Sequence, residues 1–418
     1  MLKRLLPLVV ALLVALVLVS GCAKATPSPT PTASPSPTST PTPSPKPTPS
    51  PTPSPALPKE IKIGSIMAMT GALAHMGHLM SQAAKLAVEE INAAGGVAGS
   101  PAKLLLEDST TEAKTALEAF KKLVEVNGVR VVVGPMISPA VMAIGPYASE
   151  RGVVFISPSS TAPTVAEQPW AGKACFRTCP NDNFQGKALA KLILDKGFKR
   201  VAILVMDNPY GVGIEKVAKE ALGGKVDVVA DIRYDPKKLD YLTELGLIKD
   251  KNPDCVLHVG FHDDGAVVYR QAMEMGLDKL QWVSAEGLYG FDFSLSKDAS
   301  EFMVKAVMGT ALTSTGPRYE EFCAKYQKKW GEEVSVYCDT TYDATWMIAK
   351  AIEKAGAYDG VKIAQALHQV GQSYPGASGV ITFNEKGDRV SGVYKIWKVE
   401  KLAEGKYKFV QVGLMSFE

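Results

Sequence analysis

The chain has 418 residues, 46% of them apolar and 21% charged, with a formal net charge of +3. Residues 1–58 hold no Asp or Glu, four basic residues (Lys3, Arg4, Lys24, Lys46) and fifteen of the 28 prolines, so residues 59–418 carry a net charge of −1. This excludes a broadly basic nucleic-acid-binding body as the default, and the 360 residues that remain exceed the usual span of one core, which predicts two domains.

Lys3 and Arg4 precede a fifteen-residue apolar run, Leu5 to Val19, broken only by Pro7. That run is short for a bilayer span and suits a signal peptide. It ends in Val19-Ser20-Gly21-Cys22, which resembles the lipobox of bacterial lipoproteins. The resemblance implies cleavage after residue 21 and lipidation of Cys22, which anchors the chain at the outer face of a membrane without spanning it. Residues 26–58 are almost entirely Pro, Thr and Ser, with no apolar face to bury, and read as an extended spacer.

The body opens with a strand at 61–67, then a helix from about 77 to 93 stopped by Gly95-Gly96. A strand at 104–107 and a helix with Ala113, Ala116, Leu117, Phe120, Leu123 and Val124 on one face follow. Val129 to Val133 is a continuous apolar run, as a strand buried on both faces requires. Further strands are expected at 153–156, 174–178, 200–206, 226–232, 254–259 and 280–284. Helices are expected near 138–149, 184–196, 211–222, 237–250 and 263–275. This alternation predicts βαβ units, hence an α/β fold of two Rossmann-like lobes with mainly parallel sheets. The last third predicts helices near 317–330, 339–355 and 360–369, then strands at 379–383, 392–398 and 406–412.

Of the six cysteines, Cys22 is reserved for lipid, leaving five and so at least one unpaired within the chain. Cys323 and Cys338 flank the helix break at Trp330-Gly331 and are the pair best placed to bridge. Cys175 and Cys179, four apart on one strand, are too far apart to bond directly. His75-x-x-His78 and His258-x-x-x-His262 lack a third ligand at metal spacing, so no metal is expected.

Open parallel sheets bind ligands beyond the carboxyl ends of their strands. Ser138 with Pro139, after the third strand, reads as an N-cap whose helix offers free backbone N–H groups to a carboxylate. Ser157-Pro158-Ser159-Ser160-Thr161-Ala162-Pro163, after the fourth, is either a polar turn or a second anion cradle. No GxSxG elbow marks a catalytic serine. Asp207-Asn208-Pro209-Tyr210-Gly211-Val212-Gly213 is not completed to GxGxxG, because residue 216 is Lys, which argues against a dinucleotide. Phe261 and Glu286, the latter in Ala285-Glu286-Gly287, close the set of strand-end residues. A carboxylate there suits an ammonium group.

INAAGG at 91–96, SPSSTAP at 157–163, FRTCPNDNFQG at 176–186, DNPYGVG at 207–213, the AEG turn and TTYDA at 340–344, taken in order, resemble the leucine/isoleucine/valine-binding protein family. These are type I periplasmic binding proteins that feed ABC importers. The resemblance covers 59–418 and implies a Venus-flytrap clamshell with three hinge crossings, near 179–183, 311–314 and 389–392. Lobe 1 would be 59–180 with 313–390, and lobe 2 would be 181–312 with 391–418. By matching position, Ser138, Ser159 and Thr161 would hold a ligand carboxylate. Glu286 would pair with the α-ammonium from the other lobe. Tyr210, Phe261 and Tyr337 would line or cover the side-chain pocket, with Asp182 an acidic position near the first hinge. Met76 stands where the family usually has an aromatic residue, and Ser159 where a small apolar one is common.

The resulting expectation is a non-enzymatic, lipid-anchored, extracytoplasmic substrate-binding protein, monomeric and without cofactor, delivering a branched-chain or otherwise apolar amino acid to an ABC permease in the membrane. The alternatives are another small solute (a different amino acid, an amide, urea or an aromatic acid) or a sensory receptor on the same fold. A hydrolase using the serine loop is the third reading.

Overall fold

The computed structural model describes residues 57–417. Cys22 and nearly all of the segments read above as signal peptide and spacer lie outside the described residues. In chain order the first elements are β1 (Ile61–Met67), α1 (Ala74–Ala93), β2 (Ala102–Asp108), α2 (Ala113–Lys121), β3 (Val131–Val133), α3 (Ser138–Arg151), β4 (Val154–Ser157) and β5 (Cys175–Pro180). Then come α4 (Asp182–Asp195), β6 (Arg200–Met206), α5 (Pro209–Leu222), β7 (Asp227–Tyr234), α6 (Leu242–Lys251), β8 (Cys255–Val259), α7 (His262–Glu274), β9 (Gln281–Ser284), α8 (Lys297–Ala306) and β10 (Val307–Thr313). The chain ends with α9 (Pro317–Trp330), α10 (Cys338–Ala355), α11 (Gly360–Val370), the short pair β11 (Tyr374–Gly376) and β12 (Gly379–Ile381), β13 (Asp388–Arg389), β14 (Gly392–Ala403) and β15 (Lys406–Phe417).

Two sheets organise these elements. The first has the order β2-β1-β3-β4-β5-β13, with every pair parallel. The second has the order β7-β6-β8-β9-β10-β14-β15, parallel up to β10 and antiparallel beyond it. The fold is therefore mixed α/β with mostly parallel sheets, as the alternation predicts. The chain leaves the first sheet after β5, returns after β10 to pack α10 on α1, and leaves again between β13 and β14. Burial explains the apolar runs: Val131, Val132 and Val133, and Val201 to Met206, have no exposed surface.

Local devices set the loop geometry. Asn92 Nδ2 donates to the Ala102 carbonyl at 2.9 Å while its Oδ1 accepts the Ala102 N–H at 2.7 Å, so the INAAGG segment pins the start of β2. Gly77 lies against β1's end, where a Cβ would stand 1.9 Å from the Ala68 carbonyl oxygen. Only glycine permits that approach of α1 to the loop above the sheet.

Three expectations need correction. Cys323 and Cys338 are both free thiols, not a disulfide. Cys338 is buried at the first turn of α10 beside Tyr326, whereas Cys323 sits beside Tyr319, so each thiol has its own phenol neighbour on α9. Burial raises both above the ordinary thiol value. Secondly, α8 and β10 were not expected. Thirdly, Ser138 does not cap α3: Ile137 occupies the cap position, and the Ser138 hydroxyl turns to the neighbouring loop.

Candidate functional site

The carboxyl ends of the strands in both sheets face a narrow common cavity of about 30 Å³. From the first-sheet side it is lined by Leu73, Met76, Met136, Ile137, Ser138, Ser159 and Tyr337. Tyr210, Phe261, Glu286 and Gly287 close it from the second. Seven of the nine ligand-site residues expected from sequence thus meet in one place. Thr161 and Asp182 are buried just behind the lining.

The first-sheet wall is built to receive an anion. Ser138 begins α3, and its Oγ accepts hydrogen bonds from Ser160 Oγ at 3.1 Å and the Ala162 N–H at 3.2 Å. This sews the 157–163 loop to the helix start. Ser159 Oγ donates to the Met136 carbonyl at 3.0 Å. With these hydroxyls engaged, the backbone N–H groups of Ser138, Ser159 and Thr161 are left without partners among the hydrogen bonds of the described residues. Unpaired amides at a helix start and a turn form an anion cradle.

The opposite wall is built for a cation. Glu286 opens a short helical turn after β9 and is 3% exposed; its Oε2 has no hydrogen-bond partner. Asp182, next to Thr161 behind the lining, opens α4 with no exposed surface and forms no salt bridge among the described residues. Burial pushes Asp182 up to about 7, with the Thr161 hydroxyl and the Arg177 charge pulling the other way. Burial lifts Glu286 well above the usual carboxylate range, and the Asp182 charge adds to that rise. A buried carboxylate without a cationic partner is costly, and a cation entering the cavity beside Glu286 relieves that cost.

Aromatic residues complete the enclosure. Asn208 Oδ1 accepts the N–H groups of Tyr210 and Gly211, both at 3.0 Å, which fixes the first turn of α5. The Tyr210 ring stacks on Phe261 with centroids 5.6 Å apart and planes 13° apart, and its hydroxyl accepts the Gly287 N–H at 3.2 Å. Asp264 fixes Phe261 by accepting its N–H at 3.1 Å. Tyr337 is buried with φ of 68°, a left-handed conformation costly for tyrosine. The TTYDA motif holds it there: Thr340 and Thr341 hydroxyls donate to the Tyr337 carbonyl at 3.0 and 2.6 Å.

Sequence reasoning missed Leu73, Met136, Ile137 and Gly287 as lining residues. Met136 and Ile137 were in view, because they sit inside the Gly134–Pro139 loop, and Gly287 follows Glu286. No pattern marks Leu73, the residue before α1. Met136 is held firmly, since its Sδ accepts the Ala68 N–H at 3.2 Å. Among the described residues no group of three metal-ligating side chains forms, and no helix is long and apolar enough to cross a membrane.

The profile of the family described as "Periplasmic binding protein" matches residues 60–406. A leucine-, isoleucine-, valine-, threonine- and alanine-binding protein of Pseudomonas aeruginosa is 30% identical over 346 residues, covering 82% of this chain and 90% of that protein. Among solved structures, the leucine binding protein LivK of Thermotoga maritima superposes with a TM-score of 0.75 at 26% identity, covering 85% of this chain and 98% of that one. The branched-chain amino acid transporter substrate-binding protein LivJ of Streptococcus pneumoniae, solved with isoleucine, gives a TM-score of 0.72 at 26% identity, covering 84% and 100%. The chain belongs to the periplasmic binding protein family, as a type I member of its leucine/isoleucine/valine-binding group.

Proposed function

We propose that this protein captures an apolar α-amino acid of the branched-chain class in the cavity between its two sheets and hands it, unaltered, to an ABC permease. The observation that carries this reading is the pairing of unpartnered amides on one wall with the buried Glu286, whose Oε2 has no hydrogen-bond partner, on the other. A zwitterion supplies one charge to each wall, and Met76, Met136, Ile137, Tyr210, Phe261 and Tyr337 offer its side chain an apolar surround.

In this reading Ser138, Ser159 and Thr161 take the carboxylate and Glu286 takes the ammonium, with Asp182 close behind. The bodies 59–180 with 313–390 and 181–312 with 391–418 close over the ligand by bending at the three crossings. Lys237, which pairs with Glu112 at 2.8 Å across the rim, then helps hold the cleft shut. The Leu/Ile/Val relatives support the side-chain class. An acid lacking an amino group would leave Glu286 Oε2 unsatisfied, which disfavours the aromatic-acid alternative. Residues 1–21 are read as a lipoprotein signal peptide and 22–58 as lipid attachment at Cys22 with a spacer, which puts the protein on the outer face of a membrane.

Isothermal calorimetry of the purified protein against leucine, isoleucine, valine, alanine, threonine and benzoate tests the proposal. Heat from the branched-chain amino acids and none from benzoate is expected; tight binding of benzoate alone would overturn it. Gly287→Ala is a second check. Its Cβ would stand 2.4 Å from the Gly260 carbonyl oxygen and 3.1 Å from both the Tyr210 hydroxyl and the Phe261 ring. Overpacking of this kind costs about 1–3 kcal/mol, so the branched-chain amino acids should bind roughly tenfold or more weakly. Unchanged affinity would place the ligand away from the Tyr210–Phe261 stack.

A further inference from the structure

We propose that the buried ion pair between Arg177 and Asp388 is the positioning element of the ligand-carboxylate loop. This rests on the carboxylate role given above to Ser159 and Thr161. Arg177 lies on β5 and has no exposed surface, and Asp388 lies on the adjacent β13. The pair is bidentate: Arg177 Nε donates to Asp388 Oδ1 at 2.6 Å and Nη2 donates to Oδ2 at 2.5 Å. A purely structural pair would stop there. Arg177 Nη1 instead donates to two loop carbonyls, Ser160 O at 3.1 Å and Ala162 O at 2.8 Å, one on each side of Thr161.

The consequence follows from peptide geometry. In a trans peptide the C=O and the next N–H point in opposite directions. Holding the Ser160 carbonyl toward Arg177 therefore turns the Thr161 N–H away from it, and that N–H has no partner among the hydrogen bonds of the described residues. The rigid guanidinium fork can hold both carbonyls and the carboxylate at once, which the single ammonium of lysine cannot.

The same pair reaches two chain crossings. Asn181 Nδ2 donates to Asp388 Oδ2 at 2.9 Å, and Asn181 Oδ1 accepts the Asn183 N–H at 3.1 Å, capping α4 at Asp182. The Asp182 N–H donates to the Thr161 carbonyl at 2.7 Å. Asp388 itself lies four residues before β14 begins. The loop that meets the carboxylate, the segment leaving β5 and the segment entering β14 are thus joined through one ion pair.

The test compares leucine with leucinol, which keeps the ammonium and side chain but lacks the carboxylate. Arg177→Met alone strands a buried Asp388 charge and risks unfolding, so the variants are Arg177→Met/Asp388→Leu, which removes both charges, and Arg177→Lys, which keeps the charge but loses the fork. Calorimetry with both ligands is read beside ligand-free thermal melts. In whichever variant melts cooperatively, leucine should weaken by about tenfold or more and leucinol by less than about threefold, since one well-aimed charge-assisted hydrogen bond is lost. A leucine-to-leucinol ratio equal to wild type would overturn the positioning role alone. Failure of both variants to fold would overturn it too, by making the pair a folding requirement. Failure of wild type to bind leucine would overturn the site reading and this inference with it.

Discussion

Glu286→Gln is expected to cost about 3 kcal/mol of amino-acid binding, roughly a hundredfold in Kd, while leaving the ligand-free protein as stable as wild type or more so. The two effects have one cause. In the empty cavity Oε2 is buried without a partner, so the carboxylate burdens the fold and burial lifts its pKa. An amide of the same shape carries a smaller desolvation penalty, which favours the empty state. With ligand present, the carboxylate gains an ammonium in a low-dielectric site, and the amide cannot replace that charge–charge contact. A residue kept for packing alone would lose stability on substitution and leave affinity nearly untouched. Thermal melts and calorimetry on the same preparations separate the two cases.

Amino-acid affinity should also rise with pH as the site's carboxyls lose their protons, by at most roughly one log unit per pH unit for each proton released. Asp182 is raised from 3.8 to about 7 by burial, so the empty site carries a proton below that value. Because Glu286 is raised as well and sits close by, the two carboxyls titrate together. A ligand ammonium favours their charged forms, so binding expels a proton, and removing that proton beforehand makes binding easier. Stability of the empty protein has the opposite sign. An acid whose folded pKa exceeds its unfolded value stabilises the fold at low pH, and its contribution falls as pH rises from about 4 to 7. Asp264, raised to about 7, and Asp343, raised to about 6, act in the same direction on stability without facing the ligand. Titrations near pH 6 in buffers of different ionisation enthalpy should show net proton release on binding. In Asp182→Asn the release should fall and the pH profile should flatten. A pH-independent affinity with no proton exchange would contradict a proton held by the pair in the empty site.

The alternation of apolar strands with amphipathic helices is legible from residue 61 to residue 284, because most strands there are short apolar runs bounded by turn residues. It failed at 297–313 for a physical reason. Helix α8 passes into β10 with Val307 already extended and no glycine or proline between them. Ala299, Phe302, Met303 and Ala306 are buried on the helix, and the strand after it, VMGTALT, contains Gly309, packed where a Cβ would meet the Ser284 carbonyl and Trp397. Propensity reads such a segment poorly, since tertiary packing selects it. The loops that line the cavity are legible because strand ends in a parallel sheet are where a site is expected. The ordered motifs then assigned residues that spacing alone left open between cap, turn and cradle. Leu73 has no local signal, because a lone leucine before a helix looks like any other core residue. The Cys323–Cys338 bridge was misread because a gap of fifteen residues across a helix break says nothing about which way two thiols point.

In this site a ligand ammonium meets buried carboxylates, Glu286 foremost, that form no salt bridge among the described residues. Calorimetry of the wild-type protein with leucine and with isocaproate, which is leucine without its amino group, tests it most directly. Leucine is expected to bind, and isocaproate to bind at least about a hundredfold more weakly. Equal affinity for the two would contradict it.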